Sequence, residues 1–162
     1  MTRPSLYLET TIVSYLTARP SGDLLAAAWQ KSTVDWWYNQ RLNFDLYISE
    51  IVLEEAGRGD REMAQKRLEL MEELPRLSIN DDVTALANIF LCEGTLPEKA
   101  IDDALHIAIA SVHRMDYLLT WNCRHIDNAQ IKPLLRRICT KNNLSCPEIC
   151  TPQELMGINQ NE

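Results

Sequence analysis

The chain predicts an α/β domain, built as a three-layer α/β/α sandwich around a mainly parallel sheet. Three observations carry that expectation. Short apolar runs of strand length alternate with segments of helical periodicity along the whole sequence, as repeated β-α units require. Capping and turn residues fall at the boundaries between these segments. The 162 residues, 46% of them hydrophobic, suffice for one domain with a sizeable core. Residues 1–158 are expected to form that domain, and residues 159–162 to fray.

Leu6-Tyr7-Leu8 reads as a buried strand ending at Glu9. Thr10 or Thr11 can cap the helix that follows through Ile12, Val13, Tyr15 and Leu16. Pro20-Ser21-Gly22-Asp23 is a turn, and Leu24 to Arg41 has helical periodicity. Asp45 to Ser49 reads as the second strand. Ser49 can cap a helix over Glu50 to Ala56, which Gly57 or Gly59 ends. Arg61 to Glu73 is a charged amphipathic helix stopped by Pro75, and Leu77-Ser78-Ile79 a third strand. Asp81 or Asp82 caps Val83 to Cys92, and Gly94 breaks that helix. Thr95-Leu96-Pro97-Glu98 reads as a capping box opening a helix that runs to about His113. Asp116 to Thr120 is the fourth strand, about Ala129 to Asn142 a helix, and Glu148-Ile149-Cys150 a last strand before a turn capped at Thr151.

No apolar run reaches the ~18 residues a membrane span needs, and Met1-Thr2-Arg3-Pro4 lacks a signal-peptide core. The expected setting is the cytoplasm, with no membrane partner. Cys92, Cys123, Cys139, Cys146 and Cys150 make an odd count, which argues against a disulfide framework. A zinc site would need a second close pair beside Cys146 and Cys150, and none is evident. A net charge of −7 is not that of a protein gripping nucleic acid by bulk electrostatics, although a local basic patch can coexist with an acidic total.

The most informative stretch is Asp102-Asp103-Ala104-Leu105-His106-Ile107-Ala108-Ile109-Ala110. It sets carboxylates in a helix that is otherwise apolar nearly all round, and such a helix is normally buried. An ionised carboxylate there needs a cation: an Arg, a Lys or a divalent metal. Other acids favour the metal. Glu9 ends the first strand, Glu54 and Glu55 lie in the helix after the second, and Asn122 follows the fourth. Ligands of parallel sheets collect at carboxyl ends of strands, where these positions can converge. Clustered carboxylates repel by ~4 kcal/mol per pair at 4 Å. All-oxygen ligation suits Mg2+ or Mn2+, which can polarise a phosphodiester and activate water for in-line attack.

At these residues the chain resembles the PIN-domain family, and in particular its VapC-type toxins. The matching segments are Leu6-Tyr7-Leu8-Glu9-Thr10-Thr11-Ile12-Val13, Tyr47-Ile48-Ser49 through Glu54-Glu55, Asp103-Ala104-Leu105-His106-Ile107-Ala108, and Leu118-Leu119-Thr120-Trp121-Asn122. The resemblance implies a PIN fold and a metal-dependent endoribonuclease held inactive by a cognate antitoxin. It also implies a homodimer. Glu9 takes the place of the family's first metal-binding Asp, Glu55 that of the Glu in its second motif, and Asp103 that of its third acid. These three are the expected metal ligands, and Asn122, standing where many members carry a fourth Asp, completes the catalytic set. Two departures stand out. Glu9 is one methylene longer than Asp, and Asn122 is neutral.

Each residue also has a plainer reading. Glu9 can be a solvated strand end, and Asp102 a charge favouring the helix dipole. Neighbours on a helix point about 100° apart, so one of Glu54 and Glu55 faces solvent. His106 either serves the metal or packs against a nearby carboxylate. Thr10 and Thr11 bind water on the metal or only cap a helix. Arg58, Arg61, Lys66 and Arg67, and Arg124, His125, Lys132, Arg136 and Arg137, meet RNA phosphates or form solvated faces. Trp36 and Trp37 stack on bases or belong to the core. The alternatives to a nuclease are a PIN-like module that binds RNA or protein with weak or no cleavage, and an interaction module with surface acids. No GxGxxG or P-loop pattern supports a nucleotide-cofactor enzyme.

Overall fold

The structure, a computed structural model, describes residues 2–158, so the expected fraying of 159–162 lies outside the described residues. Strands β1 (Ser5–Leu8), β2 (Asp45–Ser49), β3 (Arg76–Leu77), β4 (Tyr117–Leu119) and β5 (Glu148–Cys150) form one sheet in the order β3-β2-β1-β4-β5. Every neighbouring pair is parallel. The helices are α1 (Thr10–Thr17), α2 (Leu24–Asn39), α3 (Glu50–Ala56), α4 (Arg61–Met71), α5 (Asp81–Cys92), α6 (Ile101–Val112) and α7 (Lys132–Lys141). They cover the sheet as a three-layer α/β sandwich. One group packs around α1, which touches α2, α3 and α4, and the other pairs α5 with α6 and α7. Among the described residues no helix is long and apolar enough to cross a membrane.

The central strand explains the arrangement. Leu6, Tyr7 and Leu8 are fully buried, with β2 on one side and β4 on the other. Chain order runs outward from β1 in both directions, so the crevice beyond its carboxyl end is where such folds bind ligands. Trp36 and Trp37 are core residues rather than a stacking surface. The Trp36 indole N–H donates to the Leu155 carbonyl at 3.1 Å, which ties α2 to the closing 3-10 turn Pro152–Leu155.

Several helix starts differ from the sequence reading, two because another side chain reaches the open N–H groups and two because no side chain does. Glu9, not Thr10 or Thr11, caps α1 by accepting from the Thr11 N–H. Asn80, not Asp81 or Asp82, caps α5. Thr95-Leu96-Pro97-Glu98 forms no capping box. The chain turns through a 3-10 segment, Glu98–Ala100, and α6 begins at Ile101 with no side-chain cap. Ser49 stands at the cap position of α3 but makes no capping bond. Its hydroxyl is engaged elsewhere.

Candidate active site

Three elements deliver acids to the carboxyl edge of β1. Glu9 follows β1 directly and is 4% exposed, so its plainer reading as a solvated strand end does not hold. Its Oε2 accepts from the Thr11 N–H at 2.9 Å. Its Oε1 accepts from the hydroxyls of Thr11 and Thr120, both at 2.6 Å. Thr120 follows β4, so Glu9 stitches the ends of the two central strands together.

Glu55 comes from α3. Its neighbour Glu54 points to solvent and pairs with Arg58, while Glu55 turns inward. The Glu55 Oε1 accepts from Thr10 Oγ1 at 2.8 Å and from His106 Nε2. His106 is 1% exposed and its Nδ1 lies 2.7 Å from the Tyr7 hydroxyl, itself 2.8 Å from Ser49 Oγ. This is the bond that takes Ser49 away from capping α3.

Asp103, expected to be buried, is only half-buried; the buried ionisable group of α6 is His106. Asp103 Oδ1 accepts from Asn122 Nδ2 at 3.0 Å, and Oδ2 is bonded by His125 Nδ1 at 2.9 Å. Asn122 in turn accepts the His125 N–H on its Oδ1 at 3.0 Å. The loop after β4 therefore folds onto Asp103 from two sides.

Electrostatics make His106 the centre of the cluster. Burial works to lower its pKa. The bond to Glu55 and the charges of Glu9, Glu55 and Asp103 outweigh burial, so the pKa rises above that of an ordinary histidine. Burial works to raise the Glu55 pKa, and the bonds from His106 and Thr10 bring it below the usual carboxylate value. Both ring nitrogens of His106 are engaged, Nε2 with Glu55 and Nδ1 with the Tyr7 hydroxyl, and the Tyr7 oxygen also meets Ser49 Oγ. Burial, only partly offset by the Ser49 bond, holds Tyr7 protonated. The partner that the sequence demands for Asp103 is thus not His106 of the same helix, which serves Glu55, but Asn122 and His125 of the loop after β4.

The oxygen donors Glu9, Glu55 and Asp103 are of the type that Mg2+ or Mn2+ takes. Their positions do not make a closed cage. Each is drawn onto a threonine, histidine or asparagine donor, and among the described residues no three His, Cys, Asp or Glu side chains are arranged to hold a metal ion. Carboxylates keep lone pairs beyond those in use, so these oxygens can accept an ion beside their protein donors.

The basic residues divide. Arg67 donates to the carbonyls of Ala56 and Arg58, which closes the end of α3, and Lys132 is paired with Asp127. Arg124 is exposed two residues after Asn122. Trp121 stacks on Trp29 with ring centroids 4.8 Å apart and donates its indole N–H to Thr33. Sequence reasoning missed Thr120 and the Tyr7 hydroxyl, and grouped His125 with the basic surface. The available signal was Asn122 three residues before His125, a spacing at which an Asn side chain can accept a backbone N–H as a cap does.

No protein-family model matches the chain, and no curated protein matches it in sequence. Solved structures do match in fold. VapBC2 from Rickettsia felis, bound to a DNA fragment from its promoter, superposes with a TM-score of 0.57 at 18% identity, covering 90% of this chain and 97% of that one. VapC20 from Mycobacterium tuberculosis, a toxin that cleaves the sarcin-ricin loop, superposes with a TM-score of 0.55 at 14% identity, covering 80% of this chain and 95% of that one. At these identities the likeness is one of fold: a five-stranded parallel α/β sandwich of the kind found in VapC toxins.

Proposed function

We propose that this chain is a divalent-metal-dependent endoribonuclease, the toxin component of a toxin–antitoxin pair, acting in the cytoplasm. One observation carries the reading. Three carboxylates from separate elements lie at the carboxyl edge of a VapC-like sheet, one of them, Glu55, bonded to the buried His106. A fold alone does not need that arrangement, because burying charge is costly and clustered titratable groups mark sites of chemistry.

Glu9, Glu55 and Asp103 are the residues that would hold Mg2+ or Mn2+, and the ion would supply Lewis acidity toward a phosphodiester and lower the pKa of water. The chain's own groups do the positioning. Thr11 and Thr120 fix Glu9, His106 and Thr10 fix Glu55, and Asn122 with His125 fixes Asp103. Arg124 is the exposed side chain we assign to an RNA phosphate. A cognate antitoxin and a second copy of the chain complete the partners. Leu24, Leu25, Tyr38 and Leu42 are exposed apolar residues that a protein partner would cover.

A second reading is favoured by the engagement of every acid with protein donors: a PIN-like module that binds RNA or a partner protein and cleaves weakly or not at all. Incubation of a structured RNA with the protein and Mn2+, with and without EDTA, separates the two. Cleavage abolished by EDTA supports the nuclease. RNA retained but uncut at every metal concentration supports the binding module.

A further inference from the structure

Helix α2 carries a solvent-facing stripe that the proposed nuclease chemistry does not use. Its inner face, with Thr33, Trp36 and Trp37, is buried in the domain. The outer face is rich in apolar groups. Leu24 is 88% exposed, Tyr38 73%, and Leu42, in the 3-10 turn Arg41–Asn43 that follows, 70%. Leu25 and Val34 are exposed beside them. Among the described residues, five of the ten exposed large apolar side chains therefore lie on this helix and its turn. Such a concentration marks a surface that another molecule covers.

The spacing indicates which molecule. Leu24, Ala28, Lys31, Asp35, Tyr38 and Leu42 follow one another at steps of four, three, four, three and four. That is the seam by which one helix packs along another. At 100° per residue the first five fall within about 80° of arc, opposite the buried face. Flanking positions such as Leu25, Ser32 and Val34 carry no charge. The charges of the seam sit at its middle, where Lys31 Nζ lies 2.6 Å from Asp35 Oδ2.

We propose that α2 docks antiparallel on α2 of a second copy of this chain. A two-fold axis midway between Lys31 and Asp35 sets Leu24 against Leu42 of the partner subunit, Ala28 against the partner's Tyr38, and Lys31 against the partner's Asp35. Leucine meets leucine, a small side chain meets a large one, and cation meets anion. The two Lys31–Asp35 pairs then close a ring of alternating charge. A parallel alignment in the same register would oppose lysine to lysine and aspartate to aspartate. A two-fold contact needs a surface complementary to itself, and this stripe has that property, which an unrelated partner would not require. The inference rests on the proposed function only in that it asks for a second copy, and it does not need RNA cleavage.

The test is sedimentation equilibrium of the full-length parent and of Lys31→Asp and Asp35→Lys, each alone and the two variants mixed. The parent should dimerise. Each variant alone should associate at least about tenfold more weakly, because like charges then face each other across the axis. Mixing the two should restore association to near the parent's strength, because the acidic seam complements the basic one. Both substitutions are at the surface, and circular dichroism should match the parent. A parent that stays monomeric at every concentration would overturn the proposal and leave the stripe to an antitoxin. Variants that dimerise alone as tightly as the parent, or a mixture that recovers nothing, would also overturn it, since any dimer would then use another surface. RNA cleavage assayed on the same samples separates this inference from the nuclease reading. A dimer that never cuts RNA supports the docking and removes the nuclease, and a monomer that cuts RNA does the reverse.

Discussion

The two edges of one sheet handle charge in opposite ways. At the carboxyl edge, Glu9 and His106 are almost wholly buried, and Glu55 and Asp103 are half-buried beside them. At the amino edge, Asp116 accepts from the Ser5 N–H at 2.8 Å and the Ser5 hydroxyl at 3.0 Å while remaining exposed, and Arg114 stands in solvent. The Ser5–Asp116 clamp joins β1 and β4 without burying a charge. The Glu9–Thr120 bond joins the same strands at the other end with the charge buried. Burial of charge is therefore not needed to hold this sheet together. Its concentration at one edge, with every acid given a partner, points to chemistry there.

The largest effect should come from removing the buried histidine. His106→Ala leaves Glu55 without its buried partner, and breaking a buried pair by deleting one partner costs about 3–5 kcal/mol. Thermal melting should show that loss, and Mn2+ should raise the melting temperature of the variant more than that of the parent, because the ion takes over the vacated place beside Glu55. Equal metal effects in both proteins would mean that His106 does not compensate the acids.

Tyr7→Phe comes next. It deprives His106 Nδ1 and Ser49 Oγ of their shared partner in a fully buried position, at a cost of about 1–3 kcal/mol. Urea unfolding reads it, and a cost near zero would show that water replaces the hydroxyl. Glu9→Asp sharpens the family comparison. Glu9 reaches Thr11 and Thr120 with its present length, so the shorter side chain should lose the Thr120 bond and slow RNA cleavage about tenfold, or ~1.4 kcal/mol of barrier. A faster variant would favour the weak-nuclease reading. Ser5→Ala, at the other edge, should cost about 1 kcal/mol or less in melting and leave cleavage unchanged.

Legibility in the sequence follows how local each determinant is. The bounds Asp45–Ser49 and Glu50–Ala56 can be read to the residue, because an apolar strand run meets a helix that Gly57 closes. Glu55 rather than Glu54 follows from helix geometry once the buried face is known. Asn80 and Glu9 as caps are not legible, because neighbouring acids and threonines offer equally good oxygens and tertiary contacts choose among them. The role of His106 is half legible. Its neighbours say that it is buried, but only the fold brings Tyr7 and Glu55, from two other elements, to its two nitrogens. His125 escapes for the same reason: it lies in a loop whose path depends on Asn122 and Asp103.

The most direct test of the account is Mn2+-dependent cleavage of a structured RNA by the parent and by Asp103→Ala, with both proteins melted in parallel. Asp103 is held by Asn122 and His125 but pairs with no Lys or Arg among the described residues, so its removal should leave the fold intact. The account predicts cleavage by the parent that EDTA abolishes, none by the variant, and closely similar melting temperatures. Full cleavage by a folded Asp103→Ala protein would contradict it.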